Sequence, residues 1–108
     1  MLVYKVFTKS NFDLFLIEGE TRGTFIDLRD GFIHFSTREQ LSNTIRKHFN
    51  KHKQVVILAF KEIDLKSKLR WEASRNGELF PHYYDTLRYS QTLYQVELKN
   101  RKVNGSPV

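Results

Sequence analysis

The chain contains no cysteine, which excludes a disulfide framework and a thiolate metal site and fits a reducing compartment. Long apolar runs are missing too. Nothing approaches the roughly 18 consecutive apolar residues of a membrane span. Lys5 interrupts the first apolar run and Thr8 follows soon after, so the start does not read as a secretory leader. These absences lead us to expect a soluble, cytoplasmic protein with no membrane partner. There is no glycine-rich loop of the P-loop or dinucleotide-binding type, and no serine in an elbow motif. His48 and His52 have the spacing of a helical metal pair, but Asn50 and Lys51 break the helix between them and no acidic cluster lies nearby. No metal site is expected. Internal repeats, linkers and low-complexity blocks are absent.

What remains is 108 residues with 40% hydrophobic content and nine Phe, five Tyr and one Trp. That is enough for one domain with one core. The net charge is +6 and the isoelectric point about 9.7, which raises the odds of an anionic partner such as nucleotide, phosphate or RNA. Much of the excess is scattered through connecting segments, at Lys47, Lys51, Lys53, Lys66, Lys68, Lys99 and Lys102. Scattered charge also fits plain solvated surface.

The local patterns predict an α+β domain over residues 1–98, with two early helices, and a loose basic tail over 99–108. Leu2 to Phe7 reads as a strand. Ser10 can cap a helix from Asn11 to Glu18, whose apolar face is Phe12, Phe15 and Leu16, with Gly19 as its stop. Glu20 to Arg29 reads as a polar connection broken by Phe25-Ile26, and Asp30-Gly31 as a turn. A second helix starts at Ser36 or Thr37, each with a capping-box partner, Glu39 or Gln40, and runs to about Phe49. Val55 to Phe60 lacks polar alternation and reads as a central strand. Leu69 to Glu72, a turn at Arg75-Asn76-Gly77, and Thr92 to Leu98 supply further strand structure.

The stretch Gly31-Phe32-Ile33-His34-Phe35-Ser36 is the most informative. On a strand, Phe32, His34 and Ser36 share one face. An imidazole and a hydroxyl there need partners or a ligand. The candidates lie in two later blocks. In the first, Arg70 and Glu72 share a strand face about 7 Å apart, with Arg75 beyond; they either pair with each other or serve a ligand. In the second, Pro81 extends the backbone so that Phe80 and His82 project the same way. Trp71 fits the core better than a site. Arginines suit bidentate phosphate binding, and a glutamate can stabilise a developing cation.

Several blocks together carry a resemblance: Asp27-Leu28-Arg29-Asp30-Gly31-Phe32-Ile33-His34-Phe35-Ser36-Thr37, His48-Phe49, Leu69-Arg70-Trp71-Glu72-Ala73-Ser74-Arg75 and Leu79-Phe80-Pro81-His82-Tyr83-Tyr84. In order and spacing they resemble the bacterial domain-of-unknown-function family 952. Two departures are visible. Phe12 or Phe15 stands where the family often has tryptophan, and Asn76-Gly77 where it often has Gly-Gly. The family is grouped with the ADP-ribosyltransferase-like superfamily. The resemblance therefore implies a bent, split sheet of mixed or antiparallel strands with a cleft that holds NAD in active members. It implies roles for Lys5 on the first strand as a ribose or amide contact, and for His34 where a nicotinamide-stacking aromatic would lie. Glu72 is the candidate for stabilising a ribosyl cation.

The expectation is thus a cleft for NAD, ADP-ribose or a related nucleotide, with ribosyl or phosphoryl transfer as the accompanying activity. His34 and Glu72 are the candidate catalytic residues, and Lys5, Ser36, Arg70, Arg75 and His82 the ligand contacts. The alternative is a non-catalytic RNA- or protein-binding module, motivated by the net charge and the loop at Lys51 to Lys53.

Overall fold

Lys5 occupies a place in the fold that is usually apolar. In the first strand, β1 (Leu2–Thr8), alternate residues share a face, so Lys5 lies in the row of Val3 and Phe7. β1 runs antiparallel to β4 (Gln54–Lys61), and that row pairs with Phe60, Leu58 and Val56. All of these apolar residues are core. One ammonium group is therefore built into the wall of the hydrophobic interior.

The computed structural model describes residues 1–99. The remaining elements are α1 (Lys9–Glu18), β2 (Glu20–Thr21), α2 (Phe25–Asp30), β3 (Ile33–His34), α3 (Leu41–His48), α4 (Glu62–Leu65), β5 (Leu69–Ala73), β6 (Leu79–Tyr83), β7 (Leu87–Arg88), a 3-10 turn (Tyr89–Gln91) and β8 (Thr92–Lys99). The strands form three sheets, ordered β1-β4-β8, β2-β7 and β3-β6-β5, and every strand pair is antiparallel. A backbone bridge between Tyr4 and Ser36 joins the first sheet to the end of β3. The architecture is α+β with three antiparallel sheets rather than one split sheet. It has four helices among the described residues rather than two. Of the tail expected over 99–108, Lys99 instead closes β8, and residues 100–108 lie outside the described residues.

Local chemistry explains most boundaries. Thr8, rather than Ser10, caps α1: its hydroxyl accepts the Asn11 N–H at 3.2 Å. Gly19 ends the helix in the left-handed region, φ 75°, with its N–H on the Phe15 carbonyl. The predicted capping box at Thr37 forms, with the Thr37 N–H on Gln40 Oε1 at 3.0 Å and the Gln40 N–H on Thr37 Oγ1 at 3.2 Å. Regular helix begins only afterwards, at Leu41. The segment expected as a polar connection contains α2. Its apolar residues face outward, with Phe25 80% exposed and Leu28 63%, while Asp27 is its only buried residue. A hydrophobic-periodicity argument cannot find such a helix, because its inward face is an acid.

The core lies between the β1–β4 row, α1, and the inner face of the third sheet. Phe7 and Phe15 stack at 5.2 Å, and Phe35 meets Phe60 and Tyr83 edge-on. Burying each such ring stabilises the fold by roughly 1.5–3 kcal/mol. Trp71 packs against this cluster and donates its indole N–H to Glu62 Oε2 at 3.0 Å. Ile33, Tyr83 and Leu69 sit abreast on the inner face of β3-β6-β5. The next residues along each strand therefore point outward together, and they form the site.

Candidate functional site

Antiparallel register places His34 of β3 directly opposite His82 of β6, and His82 directly opposite Arg70 of β5. Directly paired residues share a face. Two imidazoles and a guanidinium thus stand in one row across three strands. Phe32, two positions before His34, lies over this row. Its ring stacks on His82 with centroids 4.0 Å apart and planes at 25°, and meets His34 at 4.5 Å and Tyr84 at 5.3 Å. The two imidazole centroids are 5.5 Å apart. The Arg70 guanidinium lies 5.8 Å over the Tyr84 ring.

Each imidazole is oriented by a different carboxylate. His82 Nδ1 is 2.7 Å from Glu72 Oε1, which also accepts the Tyr84 hydroxyl at 2.7 Å. Those two bonds hold the Glu72 carboxyl below its usual range, and the Glu72 bond raises the Tyr84 phenol. Glu72 is therefore a fixed anion beside the rings, and Tyr84 a stable donor to it. The expected Arg70–Glu72 pairing takes second place, since Glu72 spends its hydrogen bonds on His82 and Tyr84.

His34 is held more tightly. Its Nδ1 lies 2.7 Å from Asp27 Oδ1, and its backbone N–H bonds the same oxygen at 3.0 Å. Its Nε2 lies 3.0 Å from Asp30 Oδ2. Both ring nitrogens of His34 therefore lie against carboxylates.

Asp27 is the hub beneath this arrangement. Its second oxygen accepts Lys5 Nζ at 2.8 Å, the Thr24 N–H at 2.9 Å and the Thr24 hydroxyl at 3.3 Å. Lys5 also reaches the His34 carbonyl at 3.2 Å. Burial alone pushes the Asp27 carboxyl up. The bonds from His34, Lys5 and Thr24 outweigh burial and hold it well below the ordinary carboxylate range. Burial lowers the Lys5 ammonium, and Asp27 pulls it back toward charge. The chain makes room for this hub with Gly23, at φ 113°. A Cβ there would sit 2.3 Å from the Asp27 Cβ.

The structure gathers His34, Arg70, Glu72 and His82 on one outer sheet face, with Lys5 buried behind it. Two expected ligand contacts lie elsewhere. The Ser36 hydroxyl is buried against Thr44 Oγ1 at 2.8 Å, and its backbone pairs with Tyr4. Arg75 is exposed in the turn at the far end of the β5–β6 hairpin. Asp27, Asp30, Phe32 and Tyr84 belong to the arrangement and were not selected from sequence. The available signal for Asp27 was the spacing Thr24-x-x-Asp27, a capping-box pattern in a stretch otherwise read as loop.

A depression of about 130 Å³ opens beside the rings, with Arg22, Leu28, Phe32 and Tyr84 in its lining. A second, of about 230 Å³, lies between the start of α3 and β6, lined by Glu39, Gln40, Glu78 and Phe80. The second is larger but away from the imidazoles. Each lining holds two acids, Glu39 and Glu78 in the second and Asp27 and Asp85 in the first, and the first adds one cation, Arg22. Both are smaller than the roughly 300–1,000 Å³ that engulfs a drug-sized molecule. Among the described residues no group of three or more His, Asp or Glu is placed to hold a metal ion, and no helix is long and apolar enough to cross a membrane.

Comparison with known proteins adds the following. The family described as Protein of unknown function (DUF952) matches residues 6–94. The crystal structure of protein CC0527 from Caulobacter crescentus is similar, with a TM-score of 0.86 and 37% identity, over 92% of this chain and 87% of that one. The solution NMR structure of CC0527 gives 0.81 and 38%, over 91% and 84%. No curated protein matches the chain.

Proposed function

The chain belongs to the DUF952 family, and on that premise we propose that it binds a nucleotide, NAD or ADP-ribose or a relative, on the outer face of β3-β6-β5, in the cytoplasm. The ADP-ribosyltransferase-like resemblance and the geometry favour the same ligand class. The observation that carries the reading is the row His34–His82–Arg70 capped by the Phe32 ring. Phe32 and Tyr84 offer aromatic surface for a planar ring in the depression they line. Arg70 and Arg22, both exposed, are cations suited to a pyrophosphate. His34, with its ring nitrogens turned to Asp27 and Asp30, borders the site as a fixed ring.

Transfer from NAD is the accompanying activity. The C1′–N bond breaks, nicotinamide leaves with the electron pair, and an acceptor oxygen bonds to C1′ while its proton goes to solvent. Glu72, an anion beside the rings, stabilises the positive charge that develops at C1′. The test is nicotinamide release by purified protein. Glu72→Gln is expected to keep ADP-ribose binding and lose release. Undiminished release in that variant would remove the step.

A second reading, a surface for RNA, is favoured by one specific feature. No acidic residue occurs between Glu39 and Glu62. Within that stretch Arg46, Lys47, Lys51 and Lys53 are exposed, together with His48 and His52. Phosphate-driven binding there weakens steeply as salt rises. Salt-independent binding, or none, contradicts this reading.

A further inference from the structure

We infer that β8 is the interface through which two copies of this chain form a dimer. β8 is an edge strand of the β1-β4-β8 sheet, and no strand among the described residues pairs with its outer side. Unpaired edges of this length are normally blunted by proline, charge, bulges or a covering element; β8 carries two charges, Glu97 and Lys99, both on the face opposite its Tyr94-Val96-Leu98 row. Here Leu93 to Lys99 are all exposed, and the single register shift lies at the Thr92 end, between Ala59 and Phe60 on β4. Leu93 is 47% exposed, Tyr94 43%, Val96 45% and Leu98 42%. Tyr94, Val96 and Leu98 alternate, so they share a face, and they pair with Ala59, Ile57 and Val55 of β4. The apolar row therefore continues from the buried centre of the sheet out to an open edge, the arrangement expected of an association surface.

The occupant is identified by self-complementarity. An antiparallel β8–β8 pair with its two-fold axis through Val96 sets Tyr94 opposite Leu98 of the second copy and Val96 opposite itself, which closes the apolar stripe. On the other face Glu97 meets Gln95, an amide donor, and Lys99 meets Leu93, so no two like charges stand directly opposed. Shifting the axis to Glu97 sets two carboxylates face to face, and shifting it toward Tyr94 leaves Leu98 without an apolar partner, so the Val96 register pairs the apolar row best. A symmetric interface of this kind is the commonest closed assembly. The product is one continuous six-stranded sheet with three strands from each copy. The outer face of β3-β6-β5 belongs to a different sheet.

The test is the solution mass of the full 108-residue chain by sedimentation equilibrium, with and without Val96→Lys. The wild type is expected at twice the 12.9 kDa chain mass. Val96→Lys puts two ammonium groups across the axis and is expected at 12.9 kDa at the same protein concentration, with an unchanged circular dichroism spectrum because the site is half exposed. Gln95→Lys sets a cation opposite Glu97 and is expected to keep the dimer. A monomeric wild type overturns the proposal, and so does a dimer indifferent to Val96→Lys. A full chain that is monomeric, but dimerises when cut after Lys99, shows that residues 100–108 occupy the edge instead and also overturns it.

Discussion

His34 and His82 stand directly opposite each other in the β3–β6 ladder, 5.5 Å apart between ring centroids, and each turns Nδ1 to a carboxylate from a different element. Neither ring is placed by packing alone. Asp27 of α2 fixes one and Glu72 of β5 the other, so the spacing of the two rings depends on acids that never meet.

The Lys5–Asp27 pair is the structural foundation of that spacing. Side chains 6% and 2% exposed meet at 2.8 Å. Removing one partner strands a buried charge. We expect Lys5→Met or Asp27→Asn alone to cost about 3–5 kcal/mol in urea unfolding, and the double replacement to recover part of that loss. Equal and additive losses would contradict the pairing.

Acid should expose the same pair. The Asp27 carboxyl is depressed in the folded state, so its contribution is present above the unfolded value of about 3.9. That contribution is lost as pH falls toward the folded value. Stability is expected to fall below about pH 4, and the Asp27→Asn variant to show a flatter acid limb over that window. Parallel acid limbs would contradict the assignment.

Two glycines make a contrast. Gly19→Ala meets nothing within 4 Å and bears only left-handed strain, about 1 kcal/mol. Gly23→Ala drives a methyl into Asp27 and should cost more. It should also displace His34, which is visible as a shift in its imidazole NMR signals. The two variants behaving alike would remove the packing argument.

How far the sequence speaks depends on the distance over which each feature is determined. Strands β1, β4 and β5, the Gly19 stop and the Thr37–Gln40 box follow from neighbours in the chain, and each is read correctly from them. His34, Arg70, Glu72 and His82 stand out because polar groups interrupt otherwise apolar or strand-like runs. Their register across three strands is a tertiary fact that no local pattern encodes. α2 escapes because its apolar side chains face outward and its buried residue is an acid, which inverts the usual signal. The strand alternation places Phe32 on the face of His34 but gives it no role, and no local pattern singles out Tyr84. Ser36 escapes because a hydroxyl on a polar face reads as a ligand contact, whereas here it ties β3 to α3 through Thr44.

The most direct measurement is the thermal unfolding midpoint of purified protein with NAD or ADP-ribose, for the wild type, His34→Ala and Arg70→Ala. A ligand at a hundredfold excess over its dissociation constant stabilises by about 2.7 kcal/mol, which raises the midpoint of a domain this size by roughly 10–20 °C. The nucleotide account predicts that rise for the wild type and its loss in both variants. A wild type whose midpoint moves with neither ligand, or variants that keep the full rise, would contradict it.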